Sequence, residues 1–145
     1  MGIVWDASKP EEFRIISKFH ETMDERNIEV KVLGYYPGGY LPDQYTGVGY
    51  LKCMKNKDVD LIYRPVSQDA YDFMKYPFDI LIDINFAKEF PLYFVTSMSV
   101  AGLKVGLFDS EANHSPYDLM LEMKNNTDIE TYLKNVIVYL EMIKN

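Results

Sequence analysis

Short apolar runs alternate along the chain with longer segments whose apolar residues recur at helical spacing. The first run, Ile3 to Trp5, is short enough for a strand and ends at Asp6. A helix is predicted to follow from Ser8, because Ser8 and Glu11 have the spacing of a capping box. Its apolar residues lie three or four positions apart, as one face of a helix requires. They are Phe13, Ile16, Phe19 and Met23.

The same alternation continues to the end of the chain. The run around Ile80-Leu81-Ile82 is continuously apolar, which is typical of a strand covered on both faces. The other predicted elements are a strand at 28–33, a turn or edge strand at 51–57, a strand at 59–64, a helix at 67–75 capped by Ser67, a core strand at 78–84, a helix from about Glu89 to a C-cap glycine at Gly102, a strand at 103–108, an edge strand at 117–123, and a last helix that begins at a capping box, Thr127 to Glu130.

Strands that alternate with helices predict a three-layer α/β sandwich of Rossmann-like type. We expect a mostly parallel sheet of five or six strands with four helices, in which the edge strand at 117–123 could be antiparallel. The 145 residues fit one α/β domain spanning 1–145, because domains cluster near this length.

Residues 34–50 break the pattern. They hold five of the eight glycines and five of the twelve tyrosines, namely Tyr35, Tyr36, Tyr40, Tyr45 and Tyr50. No period survives this composition, so the segment is predicted to be a long loop or a loose hairpin. We call it the Tyr/Gly segment. Two interpretations stay open: its rings could form an interaction or ligand surface, or they could fold back as a local core.

Polar side chains follow several of the predicted strands. In a parallel sheet the carboxyl ends share one edge, where ligands bind. The candidates delivered there are Asp6, Ser8, Arg64, Asp83, Asn85 and Asp109. Carboxylates at one edge could hold magnesium or position a sugar hydroxyl, and each also suits an ordinary turn. We therefore assign no catalytic residue and no metal site.

Composition and charge narrow the function classes. A net charge of −7 opposes binding to nucleic acid, because phosphate backbones are also negative. A lone Cys53 permits no intramolecular disulfide, and with two scattered histidines, His20 and His114, it forms no zinc pattern. No glycine-rich phosphate motif follows the first strand, so no cofactor is assigned. No apolar run approaches the roughly 20 residues that cross a bilayer. These features favour a cytoplasmic protein without membrane contact, whose partner is another protein or a second copy.

Two resemblances concern the central unit. Phe78 to Asn85, the helix that ends at Met98 to Gly102, and Leu103 to Asp109 resemble an uncharacterised bacterial family of small Rossmann-like proteins of unknown function. Gly2 to Asp6 and Tyr139 to Ile143 extend that resemblance. The same central unit is more weakly similar to the acceptor-side half of heptosyltransferase-type glycosyltransferases.

These observations favour a binding or protein-interaction module without enzymatic activity. The alternative is a small ligand-binding domain or enzyme for a hydroxyl-rich metabolite, in which the aspartates at the strand ends converge on a cavity.

Overall fold

An open sheet of six parallel strands forms the middle layer of the molecule. The computed structural model describes residues 1–112, 114–124 and 128–144. Within them the strands are β1 (Gly2–Asp6), β2 (Lys31–Tyr35), β3 (Leu51–Met54), β4 (Ile80–Ile84), β5 (Leu103–Leu107) and β6 (Leu119–Leu121).

Four helices lie on the two faces of this sheet in the described part of the chain. They are α1 (Phe13–Glu25), α2 (Gln68–Lys75), α3 (Phe90–Met98) and α4 (Ile129–Lys144). The buried residues of α1 and α4 belong to one core cluster, and those of α2 and α3 belong to the other. The predicted three-layer Rossmann-like α/β fold is therefore confirmed. None of the described helices is long and apolar enough to cross a membrane.

The strand order is β3-β2-β1-β4-β5-β6, and every neighbouring pair is parallel. The order reverses direction beside β1, whose neighbours are β2 and β4. In sheets of this order a crevice forms beyond the carboxyl ends of the strands at the reversal. The carboxyl edge near β1 and β4 is therefore the first place to look for a site.

Side chains of the central strands alternate between the two cores. Ile3 and Trp5 point toward α1 and α4, whereas Val4 between them points toward α2 and α3. In β4, Leu81 lies in the core of α2 and α3, and Asp83 has the same parity along the strand. Asp83 is only 2% exposed, so β4 buries a carboxylate where its neighbours bury hydrocarbon.

The last strand differs from its prediction. β6 covers Leu119–Leu121 and runs parallel to β5, so the antiparallel expectation for 117–123 is wrong. Residues 108–118 between the two strands are long enough to bring the chain back to the start of β5, as a parallel pairing requires. Asp118 marks this return: its N–H donates to the Lys104 carbonyl, and its carboxylate accepts from the Lys104 N–H.

The strand predicted at 59–64 is also wrong. Residues 59–65 form a surface loop closed by one antiparallel bridge between Val59 and Pro65. The Asp60 carboxylate accepts the N–H groups of Ile62 and Arg64, which turns the chain back on itself. The edge of the sheet is instead β3, within the segment predicted as a turn or edge strand.

The predicted helix ends are confirmed at some positions and wrong at others. Ser67 caps α2 as predicted, because its hydroxyl accepts the Ala70 N–H. Ser8 does not cap α1, which begins at Phe13 after a 3-10 turn at Pro10–Glu12. Helix α3 ends at Met98, so Gly102 is not its C-cap. The predicted cap at Thr127 lies outside the described residues.

Candidate functional site

The carboxyl edge of the sheet is covered near β1 and β2. The Tyr45 ring packs 5.3 Å from Trp5 and 5.5 Å from Phe13 between ring centroids, and its hydroxyl donates to the Ala7 carbonyl at 2.7 Å. Tyr45 is buried, and burial raises the pKa of its phenol. The Tyr/Gly segment thus lies across the end of β1 and closes that part of the edge.

The start of α1 does not fit a dinucleotide, which Rossmann-like folds commonly hold at this position. A pyrophosphate would need free N–H groups and positive potential there. The turn before α1 instead begins with Pro10 and carries Glu11 and Glu12, and the Trp5 indole N–H donates to Glu12. Negative charge at this position repels phosphate.

A cavity of about 550 Å³ opens on the other half of the edge, beyond β4 and β5. We call it the edge cavity. Its walls are formed by residues at and after the end of β4, by described residues within 107–112 and 114–117, and by the β6 residue Met120. Polar groups from the ends of both strands line it together with four aromatic rings. The polar residues are Asp83, Asn85, Lys88, Asp109, His114 and Ser115, and the aromatic ones are Phe86, Tyr93, Phe108 and Tyr117.

Asp83 is the deepest polar group of the edge cavity. Its carboxylate accepts three hydrogen bonds: from the Asn85 N–H at 2.7 Å, the Thr96 hydroxyl at 3.1 Å and the Tyr117 hydroxyl at 2.8 Å. Burial raises the pKa of Asp83, although these three bonds act in the opposite direction. The carboxylate therefore ties β4 to α3 and to the segment before β6.

Tyr117 crosses β5 to reach Asp83, and a glycine makes this path open. A methyl group built on Gly106 would overlap three ring carbons of Tyr117. The ring therefore occupies the space that a side chain at position 106 would fill. Burial, followed by the charge and hydrogen bond of Asp83, raises the pKa of Tyr117, so its hydroxyl stays a donor. Gly106, Tyr117 and Asp83 form one unit, which we call the tyrosine lock.

Asn85 shapes the turn from β4 into α3. Its side-chain amide donates to the Glu89 carbonyl at 3.0 Å, and its carbonyl oxygen accepts the Glu89 N–H at 2.9 Å. Lys88 in the same turn has a φ of +57°, a conformation that costs a lysine energy. Its ammonium pairs with the Asp109 carboxylate, which also accepts the Glu111 N–H. A charged pair thus joins the two strand ends at the cavity.

Behind the cavity, the Phe86 ring packs edge-on against Tyr132 of α4, with centroids 5.1 Å apart. Tyr132 is fully buried, and its hydroxyl has no hydrogen-bond partner in the described part of the chain. Burial raises the pKa of this phenol, so it stays neutral. The Phe86 ring therefore makes the cavity wall near α4 apolar, and the unsatisfied Tyr132 hydroxyl lies in the core behind that ring.

The structure brings half of the predicted strand-end residues together. Asp83, Asn85 and Asp109 line the edge cavity. Asp6 does not line it and holds the Ser8 N–H in a turn, with the Oδ1–N distance at 3.2 Å. Arg64 lies in the surface loop after β3, where its side chain pairs with Asp60. Metal binding gains no support, since the described residues contain no group of three or more His, Cys, Asp or Glu side chains that could hold an ion.

Sequence reasoning missed Lys88 and Tyr117, which complete the charged pair and the tyrosine lock. Neither residue follows a strand directly. Gly106 in the middle of an apolar strand was the available signal, because a strand glycine often marks a close approach of another group.

Four of the five predicted interaction tyrosines pack against the protein's own elements. The Tyr35 hydroxyl donates to Asn56, and the Tyr50 hydroxyl donates to Ser17 while its ring stacks on His20. Tyr36 packs edge-on against Tyr45 at 6.2 Å. Tyr40 is 92% exposed.

Strand order, layer arrangement and the half-covered edge define a Rossmann-like α/β protein with a cavity at the carboxyl ends of β4 and β5. Over residues 1–143 the chain matches a family of unknown function, DUF6913, and it belongs to that family. The expected membership of an uncharacterised family is therefore confirmed. No curated protein and no solved structure shows a significant match to the chain.

Proposed function

We propose that this protein binds a small, hydroxyl-rich molecule in the edge cavity and acts by binding rather than by catalysis. One observation carries this proposal: the cavity combines aromatic rings with the Lys88–Asp109 pair at the ends of adjacent parallel strands. Rings that face a cavity stack on the apolar faces of sugars and nucleosides, and a lysine beside a carboxylate offers both a donor and an acceptor to hydroxyl groups.

The state of Asp83 supports binding over catalysis. A general acid or base needs a free position from which to reach the substrate. The two oxygens of Asp83 already accept three internal hydrogen bonds.

The weak similarity of the β4–α3–β5 unit to the acceptor-side half of heptosyltransferases supports a sugar as the ligand class. A cytoplasmic setting is part of the proposal, because the lone thiol of Cys53 fits a reducing compartment, and a bacterial source is proposed from the resemblance to a bacterial family.

Amide spectra of the isotope-labelled protein test the proposal. The probes are glucose, ribose and adenosine, each titrated singly. We expect at least one of them to shift the amides of Asn85, His114 and Tyr117 in a saturable way. The variant Asp109→Asn should weaken that binding about tenfold, because the lost charge frees Lys88 and replaces a charged hydroxyl acceptor with a neutral amide, which is a weaker acceptor.

Asp6→Asn is the matched control, since it is the same substitution at the end of a strand that does not line the cavity. It should leave the affinity unchanged. Saturable shifts confined to other surfaces, or equal affinities of the two variants, would refute the assignment of the site.

A protein partner remains a second proposal, with its own support within the Tyr/Gly segment. Tyr40 is a large aromatic side chain that is almost wholly exposed. Such rings are enriched at protein interfaces. Tyr40→Ser should abolish binding of a cognate partner, or dissociate a homodimer in sedimentation experiments, and an unchanged sedimentation profile would remove the homodimer.

A further inference from the structure

A second concave surface lies between α1 and α4, the two helices that cover one face of the sheet. It has a volume of about 440 Å³. Its floor is apolar, with Ile15, Phe19 and Met23 from α1 and Leu133 and Ile137 from α4. We call it the helix groove. Neither the edge cavity nor the Tyr/Gly segment contributes a residue to it, so an inference about this groove is independent of the proposed function.

The charges around the helix groove oppose the charge of the protein as a whole. Four basic residues and one acidic residue line the groove, in a chain with a net charge of −7. The basic residues are Arg14, Lys18, Arg26 and Lys134. Arg26 pairs with Glu141, and Lys134 pairs with Glu130. Arg14 and Lys18 form no ion pair within the described part of the chain, so their charges are available.

The two cations without an ion pair, Arg14 and Lys18, lie one helical turn apart in the first half of α1, whereas the paired Arg26 lies at its C-terminal end. Residues 14–26 of α1 and its C-cap span about 18 Å at 1.5 Å per residue. A helix with an apolar face and acidic residues along its flanks presents charge at intervals of one turn, which matches Arg14 and Lys18 on successive turns of α1.

The apolar surface continues beyond the groove along α4. Val138 at its wall is 56% exposed, and Met142 one turn further is 68% exposed. Exposed apolar residues in line with a groove lengthen the surface that an incoming helix can cover. In a dimer joined through this face both copies would present a net positive groove, which disfavours self-association there.

We propose that the helix groove docks an acidic amphipathic helix of a partner protein. The apolar face of that helix packs on Phe19, Ile137 and Val138, and its flanking Glu or Asp residues pair with Arg14 and Lys18. The complex is of the helix-in-groove kind, in which apolar residues at helical spacing anchor a peptide.

Peptide selection tests the chemistry without knowledge of the partner. The probe is a display library of 16-residue amphipathic peptides with leucine on one face and Glu, Lys, Gln or Ser randomised at the other positions. We expect selected peptides to be enriched in Glu at positions that flank the leucine face. Arg14→Glu with Lys18→Glu should weaken the best peptide at least tenfold, and selection against this double variant should favour Lys instead.

The matched control is Lys52→Glu with Lys57→Glu. It changes the net charge equally at two exposed lysines that do not line the groove, and it should leave the affinity unchanged. All four residues are exposed, so both double variants should fold, and circular dichroism verifies this. Enrichment of Lys or of no charge would overturn the proposal. So would equal losses in both variants, binding of dodecanoate but of no peptide, or a dimer formed through this face.

Discussion

Replacing Gly106 with alanine should dislodge Tyr117 and open the tyrosine lock. The new methyl group would overlap three carbons of the Tyr117 ring, which lies directly over the glycine. The ring cannot rotate away and still donate to Asp83 at 2.8 Å. A change of one carbon in β5 is therefore expected to break a hydrogen bond that ends in β4.

The expected loss of stability has two parts. Forcing a methyl group into a packed site typically costs about 1–3 kcal/mol. Losing a hydrogen bond to a charged group costs about 1.5–3 kcal/mol. Together they predict a decrease of roughly 2.5–6 kcal/mol in the free energy of unfolding, which is a large share of the stability of a domain of this size. The loss should also raise the pKa of Asp83 further, because one of its three donors disappears.

Urea unfolding of four variants measures this coupling. Gly106→Ala is compared with Tyr117→Ala, with the double variant, and with Gly49→Ala, a glycine around which nothing lies within 4 Å of an added methyl group. The alanine at position 106 should cost less than about 1 kcal/mol once the ring is absent. Gly49→Ala should be neutral or stabilising by up to about 1 kcal/mol. A similar cost of Gly106→Ala with and without the ring would refute the lock.

Other groups give simpler tests. Tyr45→Phe should lower the free energy of unfolding by about 1 kcal/mol in urea titrations, because it removes a buried hydrogen bond. Tyr132→Phe should be neutral or stabilising, because it removes a buried hydroxyl that has no partner among the described residues. A larger loss of stability in Tyr132→Phe than in Tyr45→Phe would contradict this prediction. Because the pKa of Asp83 is raised in the folded state, the wild type should lose stability relative to Asp83→Asn as pH rises from about 4 through that pKa. The loss is at most about 1.4 kcal/mol per pH unit. Unfolding titrations of both proteins between pH 4 and 8 measure it, and parallel stability curves would disprove it. Burial raises the pKa of the Cys53 thiol to about 12, so iodoacetamide should alkylate it slowly at pH 8 in the folded protein and rapidly in urea; equal rates would show that the thiol is accessible.

The parts of the fold that the sequence predicts depend on patterns within one element. The continuous apolar run at Ile80 to Ile82 identifies the central strand, because a strand covered on both faces needs apolar residues at every position. Ser67 identifies the start of α2, because its hydroxyl and the Ala70 N–H lie in the same turn. Each signal and its partner are close in sequence, so no knowledge of packing is required.

The missed features depend on contacts between distant segments. Asp83, Gly106 and Tyr117 come together only when β4, β5 and the return to β6 are in place. The apolar residues at 61–63 resemble a strand, and only the bonds from the Asp60 carboxylate to the backbone show that they form a loop. Leu61 is fully exposed in that loop, although its apolar side chain contributes to the pattern that predicts a strand.

The concentration of tyrosine in residues 34–50 follows from a missing helix. Parallel strands are usually joined by a helix whose apolar stripe covers the sheet, but the connection from β2 to β3 contains only the 3-10 turn Asp43–Tyr45 among its described elements. Glycine-rich backbone covers little surface, so large rings must do so, and Tyr45 and Tyr50 are fixed there by their hydroxyl bonds. The rings that close the edge over β1 leave the half at β4 and β5 open. For this reason we expect a small ligand at the edge cavity, and among the five tyrosines we expect a partner to contact Tyr40.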